Sequence, residues 1–544
     1  MSEINHIPDL QGDAAKARDY DGGHIQIIAS AGSGKTETVS QRVARLVAEG
    51  TDPSEIVAFT FTTRAADELK VRIRERVMHF AGEDAANKLG NMYVGTIHGY
   101  CFQMLSKHVG RYESFEVADE NQFAAFVLRY ANKINVKQFA EPNKGLYSGI
   151  SRFIENVQVV ENEMLGLDQL PKDFADSIET LYSLLDDHRI LTYGLQISKA
   201  VEVLEDDETR AKVAGTLKHL IVDEYQDVNP AQERLIQLLA SPLGEANLVV
   251  VGDDDQAIYQ WRGSTVDNIT TFSERYENVA KFELMTNRRS RPPIVKLADT
   301  FAQTITGRLP KSMGHSRELN GPAVDIIGDH EDEASEAADI ALTIKKLWQS
   351  GYSYSQMAIL VRSKTSYKEL LVALERQSVP VQPGGRLGLF EMADADFFGR
   401  AFAWFVDFEW RVGRWSSTSE AVTLEGLVEL ATSLFALPAA SIGELQKTLT
   451  RSKATVGKDS RGVSLVGIVY DISAALGISN WDLDDKVLAS RLGTIARFTK
   501  FVADYEAMTR HSRMSSEELN RQIGMADQGG WYFRNLASFM LNVA

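Results

Sequence analysis

Ala29-Ser-Ala-Gly-Ser-Gly-Lys-Thr36 decides how this chain folds. An apolar run, His24-Ile-Gln-Ile-Ile28, leads into it, and Val39, Val43, Leu46 and Val47 follow at helical spacing. Strand, glycine turn and helix N-terminus together make a phosphate cradle. The backbone N–H groups of Ala29, Ser30, Ala31, Gly32, Ser33 and Gly34 turn toward a bound anion, and the helix dipole favours its negative charge. In such a loop Lys35 reaches the β- and γ-phosphate oxygens of ATP, and the Thr36 hydroxyl holds Mg²⁺. The first loop position is alanine where the pattern has glycine, so it is met in its relaxed form. By itself the stretch also reads as a glycine-rich turn without a ligand, and what the nucleotide does must come from the rest of the chain.

At 544 residues the chain is too long for one core, and three or four globular units are expected. No run of eighteen apolar residues occurs, so no membrane span is expected. The first residues lack a basic segment followed by an apolar one, so no secretory signal is expected either. Cys101 is the only cysteine, which rules out a disulfide within the chain and a cysteine-ligated zinc or iron–sulfur site. A reducing cytoplasm is the expected setting. The net charge of −17 argues mildly against a nucleic-acid partner. Large enzymes that track nucleic acid confine their positive charge to one groove, so the total reports mainly on solubility.

Short apolar runs at 25–28, 56–61 and 92–94, then at 220–222, 248–251 and 281–284, alternate with helical patterns and predict a parallel α/β sheet. Residues 105–210 between them read as helical, with Phe123, Phe126, Val127 and Tyr130 forming a buried stripe. After Pro292-Pro293, strands are expected at 323–327 and 357–361, with an acidic helix start at 331–336 between them. From about residue 405 the pattern is helical again, with Leu488, Leu492, Ile495, Val502 and Tyr505 on one face.

Leu220-Ile-Val-Asp-Glu-Tyr-Gln-Asp227 sets two carboxylates at a strand end. In a P-loop ATPase the first holds Mg²⁺ and the second orients the attacking water, which assigns these roles to Asp223 and Glu224. An acidic pair there could also merely cap the next helix. Downstream, Gly252-Asp-Asp-Asp-Gln256 places Gln256 where an amide senses the γ-phosphate. Tyr259 and Trp261 then offer flat faces on which bases stack, although two aromatics so close together also suit a core.

These blocks, in this order, resemble the UvrD/Rep-type superfamily 1A DNA helicases. Ile7-Pro-Asp-Leu-Gln11 resembles the Q motif, which implies that Gln11 reads the adenine edge. Thr60-Phe-Thr-Thr-Arg-Ala-Ala66 and Gly95-Thr-Ile-His-Gly99 resemble the motifs that grip single-stranded DNA, which implicates Phe61, Thr62, Thr96 and His98. Asp223–Asp227 and Gly252–Gly263 match the two most diagnostic blocks closely, and Asn287-Arg-Arg-Ser290 resembles the segment that carries an arginine finger, here Arg289. Ala358–Ser363 and Gly384–Glu391 look like the opening of a second motor domain. The resemblance implies RecA-like parallel-sheet motor domains with large helical insertions. The first motor domain is expected at 1–104 and 211–291, its insertion at 105–210, a partial second motor domain at 292–404, and a second insertion at 405–544. It further implies ATP and Mg²⁺ as cofactors, and single-stranded DNA with duplex junctions as substrate. The resemblance also implies movement 3′ to 5′, in DNA repair, recombination or defence.

The sequence departs from the family in three places. Arg288 stands where a tyrosine usually stacks on adenine, a task that a planar guanidinium also performs. Glu37 follows Thr36 where a basic residue is common. The late Thr-x-His-x-x-Lys-Gly-x-Glu block and the arginine block after it are expected to be missing, because Thr509–Glu517 mimics only the spacing of the first. The apolar stripe Leu536, Phe539, Met540 and Val543 runs to the last residue. From both comes the expectation that the second motor domain is cut short or completed by another polypeptide. A DNA-binding ATPase switch that does not unwind is the alternative function, and a noncatalytic remnant is a third. The intact Lys35, Asp223, Glu224, Gln256 and Arg289 argue against the remnant.

Overall fold

The computed structural model describes residues 7–240, 247–259, 263–318, 324–362, 367–381, 389–412, 418–456, 463–511 and 530–542. Trp261, Ala323, Ser363, residues 384–388 and 512–517, and Val543 lie outside these. The chain divides into two compact units, Met1–Ala118 with Phe153–Ile326, and Asp119–Arg152 with Ile327–Ala544.

The first unit is built on six strands: β1 (His24–Ala29), β2 (Ile56–Thr60), β3 (Tyr93–Thr96), β4 (His219–Val222), β5 (Asn247–Gly252) and β6 (Val279–Leu284). They lie in the order β3-β2-β4-β5-β1-β6. All five pairings are parallel, with Ile27 opposite Val251, Val250 opposite Val222, Val222 opposite Phe59 and Thr60 opposite Thr96. Helices cover both faces of such a sheet, and its strands therefore read as unbroken apolar runs. Helix α1 (Lys35–Ala48) turns Val39, Val43, Leu46 and Val47 into the core beside Ile25, Ile27 and Ile56, as its spacing predicts. Helix α2 (Thr63–Ala81) adds Leu69, Ile73 and Val77 to the same cluster.

Because every strand runs the same way, all six carboxyl ends open on one edge, where open α/β sheets bind their ligands. The phosphate loop, Phe61, Thr96, Asp223, the acids 253–255 with Gln256, and Asn287 all end or follow strands on that edge. Phe61 was expected inside its strand and lies just past it. Between β3 and β4 the chain is mostly helical, apart from a two-residue parallel ladder that pairs Glu116–Val117 with Ile190–Leu191.

The second unit is largely helical. Phe123, Phe126, Val127 and Tyr130 are buried on and just beyond the helix Glu120–Arg129. Ala393–Phe405 is buried nearly all round, with Phe398 stacked on Phe498 at 5.2 Å and the indole N–H of Trp410 donating to Asp396 at 2.8 Å. On the long helix Lys486–His511, Ile495, Val502 and Tyr505 are buried, whereas Leu488 and Leu492 are only half-buried. Leu536, Phe539 and Met540 are buried on the helix Gly530–Asn542. Amid this helical stretch, Glu409–Arg411 pairs antiparallel with Ser419–Ala421.

Two expected strands are absent among the described residues. Residues 324–327 and 357–361 form no ladder, and Ile326 and Leu360 are 96% and 94% exposed. Ile359 and Val361 do pack against a core of Ala337, Ala341, Leu370 and Leu374. Alternation thus encodes an extended segment with one face on helices, but a strand also needs a hydrogen-bonded neighbour, which alternation does not supply. The acidic helix start holds: Asp332 caps the helix Glu333–Gln349 in a capping box with Ser335. Among the described residues, no helix is long and apolar enough to cross a membrane.

Candidate functional site

The loop after β1 is shaped by two glycines. Gly34 precedes α1 with φ 101°, and Gly32 has φ 66°, both in the left-handed region where a side chain is strained. A Cβ on Gly32 would also lie 2.9 Å from Asn287 Nδ2 and 3.0 Å from Arg289 Cβ. The segment after β6 is clasped to the loop at this point. Asn287 Nδ2 donates to the Ala31 carbonyl at 2.7 Å, the Arg288 N–H donates to the Gly32 carbonyl at 2.9 Å, and Asn287 Oδ1 accepts from the N–H groups of Arg289 and Ser290. Arg289 is thereby brought beside the loop, exposed and without an ion pair among the described residues. Ser30 packs back on β6, its N–H donating to the Leu284 carbonyl at 2.8 Å.

Lys35 Nζ lies 2.8 Å from Glu224 Oε2, so the loop lysine and the second strand-end acid meet. Glu224 adopts φ 51°, rare for a residue with a side chain, and such strain is held where a site over-determines it. Burial works to raise its pKa, but Lys35 and a hydrogen bond from Gln226 outweigh this and hold it below the usual carboxylate range. Asp223 is pushed up to about 6, first by burial and then by the Glu224 charge. Among the described residues its side chain accepts only the Glu224 N–H, at 3.0 Å, which leaves it open to a metal.

The acids after β5 are engaged more heavily than the sequence indicated. Gln256 Nε2 donates to Asp253 Oδ2 at 2.5 Å. Lys311, buried, bonds Asp253 at 2.5 Å and Asp254, and lies 3.3 Å from Asp255. Arg308 grips Asp255 with two bonds of 2.7 and 2.8 Å. Burial opposes the Lys311 charge, yet the surrounding carboxylates hold its pKa above the ordinary lysine value. Gln226 bridges the two acidic loops: its Nε2 donates to Glu224 at 2.9 Å, and its Oε1 accepts the Asp253 N–H at 3.0 Å. Sequence reading gave Gln226, Asn287, Arg308 and Lys311 no role. A glutamine among strand-end acids was a usable signal for the first. Nothing in the pattern linked residues 308–311 to residues 253–255.

Two atoms bear on whether ATP and Mg²⁺ fit. Among the described residues, Ser33 Oγ and Asp227 Oδ1 are buried without a hydrogen-bond partner, which marks polar capacity held for a ligand. Thr36 is half-buried, and Gln11 and Arg288 are exposed. Glu37 does not face a phosphate unpaired, because Arg76 of α2 clamps it with two bonds of 2.9 Å.

Two of the aromatics expected to meet DNA lie together. Phe61 and Tyr259 stack with ring centroids 4.9 Å apart and planes at 29°. Thr62 and Thr96 both serve as helix N-caps, accepting from the Ala65 and Gly99 N–H groups at 3.1 Å. A cap uses a hydroxyl lone pair and leaves the hydroxyl proton to donate. Thr62 opens α2, and Thr96 opens the helix Ile97–His108, so two helix N-termini face this edge as well. His98 sits edge-on to Tyr193 at 5.6 Å, and burial drives its pKa down to about 4. It is therefore a neutral group and brings no positive charge to a phosphate.

The family model of the UvrD/REP helicase N-terminal domain matches residues 10–277, and that of the UvrD-like helicase C-terminal domain matches residues 282–396. The chain belongs to the UvrD/REP helicase family. It is 30% identical over 369 residues to a probable DNA helicase II homolog of Mycoplasma capricolum, across 66% of this chain and 49% of that protein. It is equally 30% identical to the ATP-dependent DNA helicase PcrA of Staphylococcus epidermidis (66% of this chain, 48% of PcrA) and of Staphylococcus aureus (69% and 50%). The chain spans about half the length of the curated relatives it matches. The UvrD-type C-terminal match corrects the expectation that the C-terminal motifs are missing. That expectation leaned on one short block and on an apolar stripe. Leu536, Phe539 and Met540 of the stripe are buried within the second unit, so burial there accounts for their apolar spacing.

Proposed function

We propose that this UvrD-type chain is an ATP-dependent DNA helicase that moves 3′ to 5′ on single-stranded DNA and acts at junctions with duplex, in DNA repair, recombination or defence. One observation carries the reading: the Phe61–Tyr259 stack lies on the same sheet edge as the Lys35–Glu224 pair. An aromatic platform suits successive bases, and here it adjoins a phosphate loop through strand ends that share one rigid sheet. The relatives' name, ATP-dependent DNA helicase, supports the same reading.

Lys35 places its charge on the β/γ-phosphates, while Gln11 and Arg288 would contact the adenine. Thr36 and Asp223 would hold Mg²⁺, which supplies positive charge between the phosphate oxygens. Glu224 takes the proton of the attacking water, its depressed pKa keeping it ionised and ready. Gln256 contacts the γ-phosphate or the water, and Arg289 offers the charge that stabilises the transition state. The Thr62 and Thr96 hydroxyls and the helix N-termini behind them would take backbone phosphates of the strand. We assign residues 1–104 and 211–291 to the first motor domain, 105–210 to its insertion, 292–404 to the second motor domain and 405–544 to a second insertion.

The test is strand displacement from a duplex carrying a 3′ single-stranded tail, with a 5′-tailed duplex beside it. ATP-dependent displacement of the 3′-tailed substrate alone is expected, and Glu224→Gln should abolish it. Preference for the 5′ tail overturns the polarity. ATP turnover stimulated by single strands without displacement from either substrate replaces the helicase with a DNA-binding ATPase switch.

A further inference from the structure

Three consecutive carboxylates, Asp253, Asp254 and Asp255, follow β5 and are buried or half-buried. Like charges so close repel strongly away from water, and burying them requires cations. Both cations come from one short segment beyond the helix Pro292–Ala302. Lys311 bonds Asp253 and Asp254, Arg308 takes Asp255, and the Leu309 N–H donates to Asp254 Oδ2 at 2.7 Å. The cluster then holds three negative and two positive charges.

Asp253 is where this cluster joins the nucleotide site. Its Oδ1 takes Lys311 and its Oδ2 takes the Gln256 amide, each at 2.5 Å. Its N–H reaches Gln226, which holds Glu224, which holds Lys35. Hydrogen bonds therefore run without a break from the phosphate-loop lysine to Lys311. With the Gln256 nitrogen committed to Asp253, that side chain keeps its carbonyl oxygen as acceptor and one N–H as donor for a ligand.

We propose that Lys311 is a positioning residue of the ATP site, which fixes Asp253 and through it the orientation of the Gln256 amide. The proposal rests on the ATPase reading above and adds a residue to it from outside the motifs. On loss of Lys311, Asp253 becomes free to turn, so the Gln256 amide no longer presents one fixed edge.

A merely structural lysine would lower stability and leave the γ-phosphate readouts alone. The experiment compares Lys311→Met, Gln256→Ala and the double variant with wild type. It measures single-strand-stimulated ATPase, and affinities for ATPγS and ADP by displacement of a fluorescent nucleotide. Lys311→Met is expected to lower kcat by about 10- to 100-fold with little change in KM. The double variant should be no slower than Gln256→Ala, because Lys311 acts through Gln256. The preference for ATPγS over ADP should fall in both single variants. Losses that multiply in the double variant, or a wild-type kcat and nucleotide preference in folded Lys311→Met, overturn the proposal. Should wild type hydrolyse no ATP, the ATPase reading falls, and the nucleotide preference alone decides for or against Lys311. If Lys311→Met fails to fold, the same measurements are made with Asp254→Asn added, which removes one of the unpaired charges without touching Gln256.

Discussion

Glu224→Gln should bind ATP more tightly than wild type while losing turnover. Lys35 is held by Glu224 at 2.8 Å, with side-chain exposures of 11% and 35%. A bound triphosphate must take the lysine from that carboxylate. A hydrogen bond between charged groups contributes about 1.5–3 kcal/mol, and solvent screening at a third-exposed carboxylate brings the pair to about 1 kcal/mol. Glutamine keeps the shape and an acceptor oxygen but gives up the charge, so most of that cost of displacement disappears. At about 1.4 kcal/mol per tenfold, affinity should rise roughly fivefold. Two further effects have the same sign. One negative charge fewer faces the phosphates, and Asp223, now pushed up partly by Glu224, becomes a readier metal ligand. Turnover should fall by about 10²–10⁴, the usual contribution of a general base. Titration with a fluorescent ATP analogue in the presence of Mg²⁺, beside a steady-state ATPase assay, measures both. Equal or weaker affinity in the variant would show that the Lys35–Glu224 pair does not compete with nucleotide.

Three other outcomes follow from particular contacts. Gly32→Ala meets both a left-handed φ of 66° and a contact of 2.9 Å with Asn287, so nucleotide binding should be lost with a stability cost of about 1–3 kcal/mol; a normal melting curve with normal affinity refutes this. Tyr259→Ala removes one ring of the stacked pair and should cost about 1–3 kcal/mol in single-strand affinity, with the remaining affinity falling as salt rises; anisotropy with a labelled oligonucleotide checks it, and unchanged binding removes the platform from the DNA path. Among the described residues, buried Glu161 has only the Thr192 and Tyr182 hydroxyls as partners, and burial, partly offset by those bonds, pushes its pKa up to about 8. The folded chain keeps that proton up to about pH 8, whereas the unfolded chain releases it near the ordinary value of 4.5, so stability falls as pH rises across that window. Glu161→Gln should therefore raise the melting temperature at pH 8.5 more than at pH 5, and an equal effect at both would refute the protonated state.

The sequence by itself determined the local elements that spacing can carry. Glycines at 32 and 34, a lysine at the helix start, apolar runs ending in Asp223-Glu224, and stripes such as Val39–Val43–Leu46 act within one or two turns of chain, and each was found where expected. It also reported that these strands pair in parallel, since runs buried on both faces suit no other sheet. What it could not carry were relations between distant segments. That Lys311 neutralises Asp253 and Asp254 joins residues 57 or more positions apart, and the Arg76 clamp on Glu37 spans 39. A lysine or arginine on an exposed loop has the same local pattern whether it ends in water or in a buried acid cluster. Residues 324–327 and 357–361 make the same point in reverse: alternation specifies an extended backbone, but only a neighbouring strand in space makes it a sheet. The tertiary structure decided these matters because desolvated charges and hydrogen-bonded ladders are properties of pairs, and the chain's folding brings the pairs together.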